Sequence, residues 1–150
     1  MDFDLLPLIG AGPIRFGMSR AEVAAAIGAD PLCFTRSAGG PPVDSFMDGG
    51  VQVNYDTAGQ VEFVETGRVL GLNVTLGGLD VFGMDADSLI SALGADNRLA
   101  PSAEPGYSFV FPDIGVSLWR SIQPDGDCDA EGRRFEAVGV SAAGYFGRSD

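Results

Sequence analysis

FGMSRAEVAAAIGAD at residues 16–30 returns as FGMDADSLISALGAD at residues 82–96. The offset is 66 residues without a gap, and seven of the 15 positions are identical. Ser19 and Asp85 sit where a helix would begin, and their side-chain oxygens can accept from the unpaired N–H groups of a first turn. Glu22 stands three residues after Ser19 and completes a capping box, while Met18 with Val23 and Met84 with Leu89 are spaced as hydrophobic staples. Gly28 and Gly94 follow the last apolar residues, the place where a left-handed cap favours glycine. Each copy therefore predicts a closed helix of about nine residues. The apolar stripes are Val23, Ala26 and Ile27 in one copy and Leu89, Ala92 and Leu93 in the other, and each must pack on something.

Outward from each helix the pattern turns strand-like. VQVNYDTAGQVEFVE, residues 51–65, alternates on both sides of Asp56-Thr57-Ala58-Gly59 and reads as a hairpin with a four-residue turn. Ser45-Phe46-Met47 adds a preceding strand, residues 72–76 add another, and residues 37–43 (SAGGPPV) read as a flexible linker from helix to sheet. In the second half YSFVF, GVSLWRS and RFEAVGVS repeat the order. Consecutive hairpins pair antiparallel, and a nine-residue helix needs tertiary packing. The expected fold is α+β: a single domain, residues 1–150, built from two tandem helix–β–β–β repeats at about 9–76 and 77–146. Its sheet is mainly antiparallel, with the short helices packed on one face and the other face solvated or used for binding.

Composition narrows the chemistry. Among 150 residues there are 21 Asp+Glu, nine Arg, no Lys and no His, giving a net charge of -12. Without His there is no imidazole base and no His metal ligand, and two Cys cannot furnish a four-thiolate zinc site. Scattered Arg in so acidic a chain argues against nucleic acid as partner and for a basic protein. The charge is shared, with 9 acids and 4 Arg in residues 1–75 and 12 and 5 in residues 76–150. The start, MDFDLLPLIGAG, has no basic n-region, no run approaches membrane-spanning length, and the expected location is the cytoplasm. There Cys33 and Cys128 are expected to be free thiols, Cys33 as a buried small hydrophobe.

Three features are candidates for function. Asp125, Asp127 and Asp129 with Glu136 occupy positions 1, 3, 5 and 12 of a calcium-loop pattern. Ala130 stands where that turn needs glycine, so the plainer reading is a solvated acidic loop. Glu62 and Glu65 are an odd number of positions apart, which on a regular strand places them on opposite faces, unsuited to paired acid–base work. Aromatics on the strands are mostly core, yet Trp119-Arg120, Tyr55 and the three aspartates Asp125, Asp127 and Asp129 are the expected partner-binding set.

Gly17-Met18-Ser19-x-x-Glu22-Val23-x-x-x-Ile27-Gly28 resembles the helix motif of the SmpA/OmlA lipoproteins and of the β-lactamase inhibitory protein family. That second family is a tandem repeat of helix and hairpin units that binds an enzyme through its sheet. Residues 12–18 (GPIRFGM) and 117–120 (SLWR) are also similar to small bacterial proteins of unassigned function, some of which are immunity proteins. From the acidic charge, the absent catalytic set and the tandem sheet architecture, together with this resemblance, the expected function is that of a non-enzymatic binding protein, an immunity protein or inhibitor against a basic toxin or enzyme, with no cofactor. The alternative is a small-molecule or calcium-binding module using residues 125–136; a third reading, an enzyme using carboxylates alone, requires a pocket with converging acids.

Overall fold

The computed structural model describes residues 2–102, 104–122 and 133–147. Its strands before the first helix are β1 (Asp2–Leu6), β2 (Gly10–Ala11) and β3 (Ile14–Arg15), followed by α1 (Arg20–Ile27). Then come β4 (Leu32–Thr35), β5 (Pro42–Phe46), β6 (Val51–Tyr55), β7 (Val61–Gly67), β8 (Asn73–Leu76) and β9 (Leu79–Asp80). After α2 (Ala86–Gly94) follow β10 (Ser108–Phe111), β11 (Val116–Trp119) and β12 (Ala137–Ser141).

Both repeated segments are helices, opened by the caps their sequences specify. The Ser19 hydroxyl accepts from the Glu22 N–H at 3.2 Å, and the Glu22 carboxylate accepts from the Ser19 N–H at 3.1 Å. α1 stops at Gly28, whose φ of 81° lies in the left-handed region that glycine tolerates without a side-chain clash. Asp85 opens α2 by accepting from the Ser88 N–H at 3.2 Å. The far end of α2 differs from expectation: Gly94 remains helical and Ala95 is a right-handed cap. There the Asn97 amide donates to the Leu93 carbonyl at 2.9 Å and satisfies an end carbonyl that a left-handed glycine turn would otherwise serve. The buried stripes are also narrower than expected. α1 buries Val23 alone, and α2 buries Ala86, Leu89 and Leu93 while Ala92 is exposed.

The strands form two sheets, mostly antiparallel. The larger has seven strands in the order β10-β11-β12-β7-β6-β5-β4, and every neighbouring pair in it is antiparallel. Its two halves join where β7 pairs with β12, Phe63 opposite Ser141 and Gly67 opposite Ala137. The predicted hairpin is the β6–β7 pair, closed by Asp56, whose Oδ1 accepts from the Ala58 and Gln60 N–H groups at 2.9 and 3.0 Å. The smaller sheet, β3-β2-β1-β8-β9, was not anticipated. Its centre is a parallel pair, β1 with β8, that brings Asp2 beside Asn73 and Leu5 beside Leu76.

Residues 37–43 are not a helix-to-sheet linker. They turn between β4 and β5, and Pro42 and Val43 already belong to β5. α1 is thus followed by four strands of the larger sheet and α2 by three.

Alternation decides what is buried. Phe3 and Leu5 point inward from β1 while Asp2 and Asp4 stay in solvent. Val51, Val53, Val64, Val116, Leu118, Val138 and Val140 of the larger sheet meet Phe3, Leu5 and Val74 of the smaller one, with Val23 and Leu89 of the helices, in one core. Leu89 is fully buried at 0 % exposure, so Leu89→Ala removes transfer free energy and leaves a cavity. The expected loss is about 3 kcal/mol in urea unfolding, against about 1 kcal/mol for Ser19→Ala at the α1 cap.

Candidate functional site

The register of the larger sheet leaves one of its faces outside the core. Ser45, Gln52, Glu65, Gly139 and Ser117 lie directly opposite one another across β5, β6, β7, β12 and β11. The neighbouring row, through Asp44, Val53, Val64, Val140 and Val116, faces inward. The outward row is therefore polar, and neither α1 nor α2, which bury Val23 and Leu89 in the core, covers it. Near one end of β7, Phe63 also points outward, its ring stacked on Tyr145 at 5.1 Å and edge-on to Phe146. That ring crosses Gly139, where a Cβ would come within 2.4 Å of it, so the close approach requires glycine. Toward the other end, Trp119 stands opposite Ala137 and Ser108, 40 % exposed.

The expected partner-binding residues scatter across this geometry. Trp119 reaches solvent, but Arg120 is buried and is no surface anchor. Its Nε donates to the Gly106 carbonyl at 2.8 Å, its Nη1 lies 3.5 Å from the Asp87 carboxylate, and its guanidinium sits over the Phe109 and Phe135 rings. Successive residues at a strand end point opposite ways, so Trp119 and Arg120 divide between surface and interior. Tyr55 is buried as well, at 3 % exposure. Asp125, Asp127, Asp129 and Cys128 lie outside the described residues. Glu136 is described, and its Oε2 accepts from both the backbone N–H and the hydroxyl of Ser121, bonds that hold its carboxyl below the usual value.

Tyr55 belongs to a polar cluster that no motif signalled. Asp44 points inward from β5 and is fully buried. Arg20, the first residue of α1, grips it with two hydrogen bonds, Nε to Oδ2 at 3.0 Å and Nη2 to Oδ1 at 2.7 Å. The Tyr55 hydroxyl donates to the same Oδ2 at 2.9 Å, and Arg20 Nη2 also reaches the Cys33 sulfur at 3.2 Å. Cys33 is an exposed free thiol, not the buried hydrophobe expected of it. Burial pushes the Asp44 carboxyl up, but the bonds from Arg20 and Tyr55 outweigh it and hold the group below its ordinary value. Burial, and then the Asp44 carboxylate, push the Tyr55 phenol above its ordinary value. The cluster fastens α1 to the sheet, and the Cys33 thiol sits at its exposed edge.

Glu62 and Glu65 are closer companions than their spacing indicates. Asn54 pairs with Phe63 but the next residue, Tyr55, pairs with Val61, so β7 carries a bulge at Glu62. Val61 and Val64 both enter the core, which leaves Glu62, Phe63 and Glu65 on the outward side. Glu65 is half-buried there, and burial pushes its carboxyl up despite the nearby Arg36. Arg36 donates to the Gln52 amide oxygen at 2.8 Å. Two inward valines an odd number of residues apart were the available sequence signal for the bulge.

Comparison with protein-family models, with curated proteins and with solved structures yields no match.

The Asp44 cluster makes stability depend on pH in a stated direction. With its folded value depressed, Asp44 contributes stability above the unfolded carboxyl range, lost as pH falls through the folded value. Arg20→Met strands the buried carboxylate and is expected to cost about 3 kcal/mol at pH 7. In this variant burial is opposed by the Tyr55 bond but no longer by Arg20, so the folded value of Asp44 rises relative to wild type and the deficit should shrink as pH falls. Tyr55 acts at the other extreme: stability is lost as pH rises past the ordinary tyrosine range, and Tyr55→Phe should flatten that alkaline limb in thermal melts.

Proposed function

We propose that this chain is a non-enzymatic binding protein, an inhibitor or immunity protein of tandem-repeat origin, that captures a basic protein on the outward face of its larger sheet. The observation that carries the reading is Trp119, exposed beside a row of polar side chains on a face that neither α1 nor α2 covers. A rigid aromatic anchor next to flat, hydrogen-bonding surface is what interface hot spots are made of. Glu65 adds a carboxylate to that face. The net charge of -12 would speed encounter with a cationic partner and repel nucleic acid and other acidic surfaces. The repeated helix segments, each feeding antiparallel strands, support a duplicated scaffold of the kind that presents a broad sheet face. The proposed place of action is the cytoplasm, where the Cys33 thiol would stay reduced.

Affinity capture with the wild-type chain and with Trp119→Ala tests this. Trp119→Ala should weaken the captured basic protein by about 30-fold or more, the loss typical of a hot-spot aromatic. Association should also slow as salt rises, since steering is screened. A partner held equally by both chains, or one that is acidic, would overturn the reading.

A further inference from the structure

The larger sheet ends on two edges, and the chain treats them differently. At β10 the Val110 carbonyl accepts from the Ala100 N–H at 2.9 Å, so the segment before that strand covers part of its edge. At β4, among the described residues, no backbone group pairs with the strand from outside. The edges of the smaller sheet, β3 and β9, are two residues each and offer little to pair with. β4 reads Leu32-Cys33-Phe34-Thr35, with no charge in the strand, and Leu32 is 75 % exposed. The unpaired N–H and C=O groups of such an edge are a template for another strand, which is why proteins usually charge, shorten or cover it.

The pairing of β4 with β5 fixes which backbone groups point outward. Thr35 stands opposite Pro42, which has no N–H, so these two residues cannot exchange a pair of hydrogen bonds. Antiparallel pairs alternate, so Phe34–Val43 and Leu32–Ser45 are the bonded pairs, and Cys33 and Thr35 turn their N–H and C=O away from β5. An antiparallel copy of β4 centred on Cys33 meets those groups. Cys33 then exchanges two bonds with Cys33 of the second copy, and each Thr35 N–H reaches the Pro31 carbonyl across the axis. The side chains agree with this register, because residues 30–36 read DPLCFTR, with opposite charges three positions to either side of Cys33. Asp30 therefore falls opposite Arg36 at both ends of the pairing, and Leu32 falls opposite Phe34, on the outward face that Leu32 shares with Ser45. Arg36 lies along β4 with its guanidinium over the Phe34 ring, and its bond to Gln52 uses one of five N–H donors. Centring the pair on Phe34 instead sets Leu32 against Arg36 and Asp30 against Ala38, which loses both matches.

We propose that this chain forms a reversible two-fold dimer by antiparallel pairing of β4 with β4 of a second copy. The self-complementary placement of Asp30 and Arg36 about Cys33 names the occupant, since only a second copy is matched by it. The axis stands normal to the sheet, so the outward faces of both copies lie on one side of a continuous sheet, with Trp119 toward its two far ends. Four-residue strands make a small interface, and the net charge of -12 on each copy opposes it. The dimer is therefore weak and concentration-dependent, with a Kd in the micromolar to millimolar range. It does not rest on the docking face, because Trp119 lies on β11, toward the opposite end of the strand order from β4.

Sedimentation equilibrium of the full chain under reducing conditions, from micromolar to millimolar concentration, tests this. The expected result is a monomer–dimer equilibrium without larger species, since pairing uses the β4 edge of both copies. Leu32→Lys, Asp30→Arg and Arg36→Asp should each weaken the dimer about tenfold, because every change acts twice across the axis. The double variant Asp30→Arg with Arg36→Asp should regain wild-type affinity. Asp30→Arg also separates this register from general repulsion: it lowers the net negative charge and would strengthen an association limited by repulsion alone. In Cys128→Ser a short bis-maleimide should link two chains through Cys33, each thiol adding its S–H across one maleimide double bond. Cys33→Ser should abolish that linked product while sedimenting like wild type. A chain monomeric at millimolar concentration, a dimer indifferent to both charge reversals, or a double variant no tighter than the single ones would overturn the proposal. Thermal melts show whether a variant has lost its fold, and a weakened dimer in a variant that melts like wild type is the decisive result. Trp119→Ala should leave the dimer unchanged; a dimer lost in Trp119→Ala and kept in Leu32→Lys would move the contact to the outward face and sink the β4 pairing.

Discussion

The buried carboxylate of Asp44 constrains everything around it. An unpaired charge at that depth is intolerable, so β5 can pair where it does only if α1 delivers Arg20 to within 2.7 Å and β6 delivers the Tyr55 hydroxyl to within 2.9 Å. One helix and two strands are thereby held in one geometry. Hydrophobic burial of Val23 would also bring α1 to the sheet, but apolar contact is non-directional. Two parallel guanidinium–carboxylate bonds fix where the helix starts and how it is oriented. The cost is high, since desolvation opposes the ion pair, and Arg20 remains partly exposed to offset it.

From that fastening follows the division of labour between the sheet's two faces. Helices and the smaller sheet cover the inward side, where valines and phenylalanines form the core. The outward side keeps polar residues through its centre, with Phe63, Tyr145 and Phe146 capping one end and Trp119 at the other. Such a surface has little apolar area in its middle to drive association. Affinity would have to come from anchors at its ends, of which Trp119 is an exposed aromatic.

How much of this was legible depended on range. The helices were legible because capping is local: Ser19 and Glu22, or Asp85 and Ser88, sit three residues apart. The β6–β7 hairpin was legible because alternation and an Asp-initiated turn are local too. β4 was missed because its residues show no buried alternation: Leu32 is exposed and Phe34 only partly covered. The smaller sheet was missed because its central pair joins Asp2 to Asn73, and strands of two residues such as β2 carry no periodicity to read. The site was less legible than the fold. Arg20 and Asp44 are 24 residues apart and neither lies in a motif. Trp119 and Arg120 looked like one anchor because they are adjacent, yet adjacency at a strand end puts them on opposite sides.

The bulge at Glu62 is the sharpest case of a local rule broken for a local reason. A pleat of period two, applied to Glu62 and Glu65, separates them; one inserted residue reverses that conclusion. The insertion has an energetic cost, because it interrupts the ladder and leaves Asn54 Oδ1 buried without a partner. A regular strand with an apolar residue at position 62 would avoid both costs, as Val61 and Val64 already show that β7 accommodates valine on its inward side. The bulge therefore puts Glu62 and Glu65 on one face at the expense of the regular ladder.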